Sequence, residues 1–543
     1  MKKSTILTVL ILIVAVSFAQ PQTVNLDVAR TQSNVPAEKV LDAMKRATRF
    51  MVEKVGNRGA YVWQYLPDMS RRWGELEALP TMGWIQPPGT LSMGHIFLDA
   101  YRATGDEYYY DAACEVVNTL IEHQLDCGGW NYMFDLAGEE SMKRWYDTYG
   151  RQAWRMEEFH HYYGNATFDD KVTTTAAKLL LRIYLEKRDE KFKAALDKTI
   201  NLVLESQFPS GGWPQRYPTD ANYDILDNKN YASYITFNDD VCFENIDFLV
   251  LCYQAFGMEN IKSAIYRAMD LVKNIQTPPP YSGWADQYTH DLKPAAARTY
   301  EPKGLNISTT VETIYELEQF YKLTADPKYL EGIPDAIEFL KLTILTDEQI
   351  QQSGRNRSGD SETFIVSRFV DADTGIPQYI HREGSNISNG HYFINQDITK
   401  TVAHMSSFTN VNINRLLNSL EEVKKIPIEQ LKETSPLLSK DIPLPAYYTG
   451  RNSSRGRIGN IEQIIDNLNE DGTWLSPIRM ASNEFKPVPQ QKPSKENKYA
   501  STTVGDEYDT SPYSARDGGI CISTAEYANN MTALIRYLDS LKK

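Results

Sequence analysis

The chain has 543 residues, of which 42% are hydrophobic and 24% charged, and its formal net charge is −14. This apolar content is enough to bury a core and excludes a disordered chain. The acidic balance, with a pI of about 5.2, argues against nucleic-acid binding, which needs a basic footprint, and predicts long-range repulsion of any polyanion.

In chain order, Met1-Lys2-Lys3, an apolar run from Ile6 to Val16 and small residues up to Ala19 come first. They read as a secretory signal over residues 1–19. The run is shorter than the ~20 residues that a bilayer span needs, and no later segment could span. The expectation is an exported bacterial protein, periplasmic or secreted, with no membrane span after cleavage. A helix from Glu38 to Lys54 follows, leading to Trp63. The five cysteines (Cys114, Cys127, Cys242, Cys252 and Cys521) are odd in number, scattered and without a CxxC pair. That excludes a disulfide framework and a zinc site.

A repeat begins next. Tyr101, Tyr184, Tyr253 and Tyr321 each close an apolar-periodic stretch, at spacings of 83, 69 and 68 residues. Each precedes a short polar turn such as Thr104-Gly105-Asp106. An apolar residue stands eight positions on: Tyr109, Phe192, Ile261 and Tyr329. In three units a Gln follows the Tyr by 23 residues (Gln124, Gln207, Gln276), and then a Gly-Trp pair: Gly129-Trp130, Gly212-Trp213 and Gly283-Trp284. Helix, tight turn, helix and Gly-rich loop form a unit that cannot bury its apolar face alone, so neighbours must stack. The predicted fold is all-α, an α/α toroid of repeated helix hairpins with long loops and minor β structure, over residues 35–430. Degenerate units end at Trp63 and Trp474, and Phe364 to Val370 reads as a strand. Residues 431–543 read as a C-terminal extension packed on the toroid, with a long loop from Phe485 to Pro512 and a closing helix from about Ser523 to Leu541.

Seventeen residues before Tyr184 and Tyr253 stand Thr167 and Thr236, each followed by acids: Asp169-Asp170 and Asp239-Asp240. Acids at helix entries are ordinary N-caps. Two clusters in matched loops at one mouth of a toroid are also hard oxygen donors suited to Ca²⁺, with substrate and water completing the shell. The loop Gly211-Gly212-Trp213-Pro214-Gln215-Arg216 joins an aromatic to a cation. The next, Trp284-Ala285-Asp286-Gln287-Tyr288, leads to Lys293 and to Ala297-Arg298-Thr299-Tyr300-Glu301. Packing between repeats accounts for the tryptophans but not for Arg216 and Arg298, which are the better functional candidates.

At these residues the chain resembles the family 10 polysaccharide lyases, the α/α-toroid pectate lyases. The resemblance is carried by Gly211 to Gln215 with Ile235-Thr236-Phe237-Asn238-Asp239, by Phe168-Asp169-Asp170-Lys171-Val172-Thr173-Thr174-Thr175, and by Trp284 through Lys293-Pro294 to Arg298 and Glu301. A weaker part lies at Arg368-Phe369 and Arg382-Glu383-Gly384. It covers residues 160 to 390, with Asp170 where the family usually has Asn. It implies Ca²⁺-assisted β-elimination of polygalacturonate by a monomeric enzyme. Arg298 would be the base and Asp239, Asp240 and Asp169 the metal ligands. Asp169, Asp170, Trp213, Arg216, Lys293 and Arg382 would bind substrate. Lys293, His290 and Tyr300 are alternative bases. Two other readings remain: an exported toroid that binds acidic glycans without catalysis or with another specificity, and a terpene cyclase or prenyltransferase, since the Gln-to-Trp spacing also fits those toroids.

Overall fold

The computed structural model describes residues 35–219, 230–357, 359–403, 406–446, 460–490, 498–515 and 519–542; the expected signal segment lies outside them. Helices come in the order α1 (Ala37–Phe50), α2 (Thr90–Thr104), α3 (Glu107–Glu122), α4 (Glu139–Trp145), α5 (Val172–Lys187), α6 (Lys193–Glu205), α7 (Val241–Phe256), α8 (Glu259–Asn274), α9 (Ile307–Thr324) and α10 (Ile333–Leu342). Then follow α11 (Asp347–Ser353), α12 (Ile413–Lys424), α13 (Ile428–Thr434), α14 (Ile461–Asp466) and α15 (Thr524–Leu541).

The repeat tyrosines mark helix ends. The carbonyls of Tyr101, Tyr184, Tyr253 and Tyr321 accept the N–H of Gly105, Arg188, Gly257 and Ala325, all left-handed C-caps. The chain reverses there, and Asp106, Asp189 and Asp326 cap the following helical turn. Each reversal joins an inner helix, buried on most sides, to an amphipathic outer one. The inner helices follow one another in contact: α15 packs on α2, α2 on α5 and α5 on α7. Phe243 of α7 meets Phe320 of α9 with ring centroids 6.5 Å apart. This is the predicted α/α toroid.

Each unit is fastened to its neighbour by the Gly-rich loop. Trp130, Trp213 and Trp284 are fully buried, and their indole N–H groups donate to the carbonyls of Leu120, Val203 and Val272 in the preceding outer helix. Gln124 and Gln207 bond their own loop's glycine carbonyl and also reach Ala195 and Ala264, in the next outer helix. Two residues before the aromatic stands a left-handed glycine whose absent Cβ would lie 2.5 Å (Gly128) or 2.3 Å (Gly211) from a carbonyl oxygen of that helix. Only glycine permits this approach.

That rule changes one expectation and bears on another. Gly59 makes the same contact with Glu115 of α3, so the repeat aromatic of the first unit is Tyr61, not Trp63. Tyr61 exchanges hydrogen bonds with Thr90 as Trp130 does with Thr173. Gly472 makes the contact with Arg46 of α1, and Trp474 donates to the Ile464 carbonyl, so α14 and α15 are repeat helices of the ring. These two helices therefore supply part of the toroid, in keeping with the unit expected at Trp474.

The predicted strand at Phe364 to Val370 divides at Arg368. Thr363–Ser367 pairs with Phe408–Asn412, while Phe369–Val370 lies between Leu305–Asn306 and Pro377–Glu383. Two-residue ladders tie helix entries to the next loop: Thr167 opposite Arg216, and Thr236 opposite Gln287. No helix among the described residues is long and apolar enough to cross a membrane.

Candidate active site

The entries to α5 and α7 share one unusual turn. Asp170 and Lys171 before α5, and Asp239 and Asp240 before α7, all have positive φ, between 48° and 62°. For a residue with a side chain this conformation is costly, of order 1–3 kcal/mol, and such residues gather at functional sites. None of the four acids acts as an N-cap, since neither entry has a side-chain cap hydrogen bond. The two consecutive left-handed residues instead hold the carboxylates at the mouth of the ring.

Asp169 is fully buried, and one of its oxygens accepts the Tyr132 hydroxyl. Its other oxygen, Oδ1, has no hydrogen-bond partner. Asp170 accepts from Gln86 Nε2 at 2.7 Å, and the same amide donates to Glu75 at 2.9 Å. Arg298, 7% exposed, forks onto Glu301 at 3.0 and 2.7 Å and meets Glu158 at 3.3 Å and Asp239 at 3.7 Å. A second loop supplies Glu157 and Glu158. Glu157 accepts the Thr299 N–H at 2.9 Å, and Tyr300 Oη donates to Glu158 at 3.3 Å.

Crowded carboxylates in an enclosed place resist ionisation. Burial, Asp169 and Glu75 push Asp170 well above the usual carboxylate range, and enclosure with Asp169 and Asp170 does the same to Asp239. Burial and Glu158 raise Glu75 to about 7. Burial favours a neutral Arg298, but Glu301, Tyr300 and Glu158 outweigh it and raise its pKa well above the ordinary value. No three His, Cys, Asp or Glu side chains among the described residues stand in a ready metal-holding arrangement.

Asp169, Asp170, Asp239, Arg298 and the Glu157–Glu158 turn, with the Trp213 and Trp284 loops, fall inside residues 141–402, which match the family model described as pectic acid lyase, while Glu75, Gln86 and Tyr132 precede that span. That match spans a little under half of the chain, and over it the chain is similar to the pectic acid lyases. On that match it is a polysaccharide lyase. No protein of curated function matches the chain. Among solved structures, a mutant family 10 polysaccharide lyase from Cellvibrio cellulosa in complex with trigalaturonic acid is similar at 18% identity, over 61% of this chain and 98% of that one, with a TM-score of 0.40. The cellobiose 2-epimerase of Spirochaeta thermophila aligns at 10% identity over 94% and 100% of the two chains (TM-score 0.39). An α-1,6-mannanase from Salegentibacter does so at 11% over 93% and 99% (TM-score 0.36).

In the lyase, the sequence candidates separate into those at the mouth and those elsewhere. Asp169, Asp170, Asp239 and Arg298 act on one another electrostatically. Asp240 is not among the groups that chiefly shift Asp170 and Asp239, and it pairs with Lys171 Nζ at 2.6 Å. Arg216 is 3% exposed and lies over the rings of Tyr163 (4.2 Å) and Tyr132 (5.1 Å). One of its terminal nitrogens reaches Asn131 and Asn165, and the other, Nη2, has no partner. Trp213 is wholly within the core, with no surface to offer a sugar. Lys293 is 73% exposed and pairs with Asp291 at 2.6 Å. Arg382, fully buried, binds the carbonyls of Tyr499 and Thr502. His290 packs edge-on against Phe208, 4.9 Å between centroids.

Sequence reasoning missed Glu75, Tyr132, Glu157 and Glu158. Adjacent acids among aromatic residues, in Trp154-Arg155-Met156-Glu157-Glu158-Phe159, are a readable signal, but they lie outside the repeat.

Proposed function

We propose that the chain cleaves polygalacturonate by Ca²⁺-assisted β-elimination. The observation that carries this is a pair of opposite unmet demands in one buried place. Arg216 Nη2 is a donor without an acceptor, Asp169 Oδ1 is an acceptor without a donor, and Tyr132 touches both residues. Buried polar groups are rarely left unsatisfied. A uronate carboxylate on Arg216 and a cation on Asp169 would satisfy both.

The residues present fit a hard cation. Asp169 and Asp239, with Asp170 beside them, offer oxygens whose mutual repulsion a cation would relieve, and substrate and water oxygens would complete its shell. A bound Ca²⁺ would neutralise the uronate carboxylate and make the adjacent C5–H more acidic. Arg216 fixes the substrate's carboxylate by a charge-assisted hydrogen bond. Arg298 is the proposed proton acceptor. Its burial favours the neutral form and its carboxylate partners oppose it, so the role requires that balance to shift on binding. With Asp239 committed to a cation, one of the carboxylates facing Arg298 is withdrawn.

The test is ultraviolet absorbance from unsaturated product on polygalacturonate, with Ca²⁺ and with excess chelator. Ca²⁺-dependent absorbance that Arg298→Ala abolishes is expected; activity unchanged by either treatment would sink the reading. Oligogalacturonate binding without product would support the non-catalytic alternative, and activity on another acidic glycan the different-specificity one.

A further inference from the structure

Residues 499–511 lie beyond the family match, which ends at residue 402, yet they are stitched to two segments inside it. On one side Arg382 donates to the Tyr499 carbonyl at 2.6 and 2.9 Å and to the Thr502 carbonyl at 2.6 Å. Asp506 accepts there from Ser385 Oγ at 2.7 Å and Asn386 Nδ2 at 2.6 Å. On the other side Asp509, fully buried, accepts the Trp154 N–H at 3.1 Å and the Ser511 N–H at 2.9 Å on one oxygen, and the Gly505 N–H at 2.8 Å on the other. Ser511 Oγ accepts the Arg155 N–H at 3.2 Å, the Thr503 carbonyl accepts Arg155 Nε at 2.6 Å, and Gln152 donates to the Tyr508 carbonyl at 2.9 Å.

Trp154 and Arg155 lead directly into the turn Glu157–Phe159. That turn carries the carboxylate that meets Arg298 and the one that accepts from Thr299. The end of the turn is held by Phe159, which packs on Trp84, Tyr132 and Trp145; its start at Trp154 and Arg155 is held by the bonds from residues 499–511.

We propose that residues 499–511 form a clasp that holds Glu158 against Arg298, with Asp509 as the positioning residue. The inference rests on the lyase reading for its kinetic consequence but not for its structural one. Removing the Asp509 carboxylate leaves the Trp154, Gly505 and Ser511 N–H groups without their acceptor. The turn that carries Glu158 is then no longer tied at its start.

The experiment compares full-length wild type, Asp509→Ala, the milder Ser511→Ala, Glu158→Gln and the double variant Asp509→Ala/Glu158→Gln. The readouts are kcat and KM on polygalacturonate and hydrogen exchange of the 152–160 amides. For Asp509→Ala, kcat is expected to fall roughly 10- to 100-fold with KM changed less than about threefold, because a loosened Glu158 no longer orients the guanidinium, and that misplacement costs more than the weaker hold on its proton gains. Adding Glu158→Gln should then cost little more, because both changes act through one contact. Exchange over 152–160 should quicken in both clasp variants, less in Ser511→Ala. Multiplicative kinetic effects, or unchanged exchange, would overturn the clasp. Should Asp509→Ala not fold, Ser511→Ala carries the same comparison. A wild type without lyase activity would overturn only the reading of function, and the exchange result would then decide the clasp alone.

Discussion

Lys171 and Asp240 hold the same position in successive repeats, 69 residues apart, and pair with each other at 2.6 Å across the mouth of the ring. The turn is common to both repeats, yet one carries a cation at its last position and the other an anion. The pair locks one entry to the next and takes Asp240 out of the acid cluster. Asp240→Asn should therefore leave the Ca²⁺-induced rise in Tm nearly intact, at a cost of about 1 kcal/mol for a partly exposed ion pair. Asp239→Asn should abolish the rise. At 100 times its Kd a ligand stabilises by about 2.7 kcal/mol, so thermal denaturation with Ca²⁺ or chelator separates the two variants. Equal loss in both would place Asp240 among the ligands.

Without Ca²⁺, Asp239→Asn should unfold at a higher temperature than wild type. Enclosure, Asp169 and Asp170 all work against its charge, and the amide is uncharged. A lower Tm in chelator would contradict the description of the cluster as self-repelling.

Stability should also depend on pH through Glu157. Burial raises its pKa to about 7, against the lowering effect of the Thr299 hydrogen bonds. The folded form then binds a proton that the unfolded chain releases near its ordinary value of 4.5. Stability from this group is complete below about 4.5 and is lost as pH rises through about 7. Denaturation across pH 4.5 to 8 in chelator should show a decline that Glu157→Gln makes shallower. Part of the slope remains, because Glu75 is displaced the same way.

Arg216→Lys should raise KM on polygalacturonate at least tenfold, with a smaller change in kcat. Lysine keeps the charge but not the fork that leaves Nη2 directed beyond Asn131 and Asn165. A lost charge-assisted hydrogen bond is worth about 1.5–3 kcal/mol. Unchanged KM would mean that the guanidinium is satisfied by its aromatic surroundings alone.

The loop glycines make a stability prediction independent of chemistry. Gly211→Ala places a Cβ 2.3 Å from the Arg267 carbonyl oxygen at φ 112° and should cost on the order of 3 kcal/mol. Gly105→Ala, at φ 71° with no atom within 4 Å, should cost about 1 kcal/mol. Denaturant midpoints at equal slope provide the measure, and equal costs would refute the close-approach argument.

The ring was legible because its fastening is local. Tyr101, Tyr184, Tyr253 and Tyr321 stand where a helix must end, and each Trp loop bonds a helix a few residues behind it. The first unit is two residues out of step with its tryptophan: Trp63 resembles the repeat aromatic, but the constraint that defines the unit is the close approach of Gly59 to Glu115, which places Tyr61 there. The acids at the mouth were legible because they repeat. Glu157 and Glu158 were not, since they meet Thr299 and Arg298 across 142 residues or so of chain with no pattern linking the two. Trp213 misled for the opposite reason: an aromatic in a candidate loop suggests a sugar platform, and here the repeat uses it entirely for packing.

The last repeat helix closes against the first, and Tyr537 Oη donates to the Val35 carbonyl at 2.8 Å. Where a protein starts and where it stops are then a matter of synthesis more than of architecture. A chain permuted to begin in the exposed turn at Gly257, with residues 542 and 35 bridged by a short linker, would make every contact between neighbouring repeats that this one makes. It should fold to the same ring.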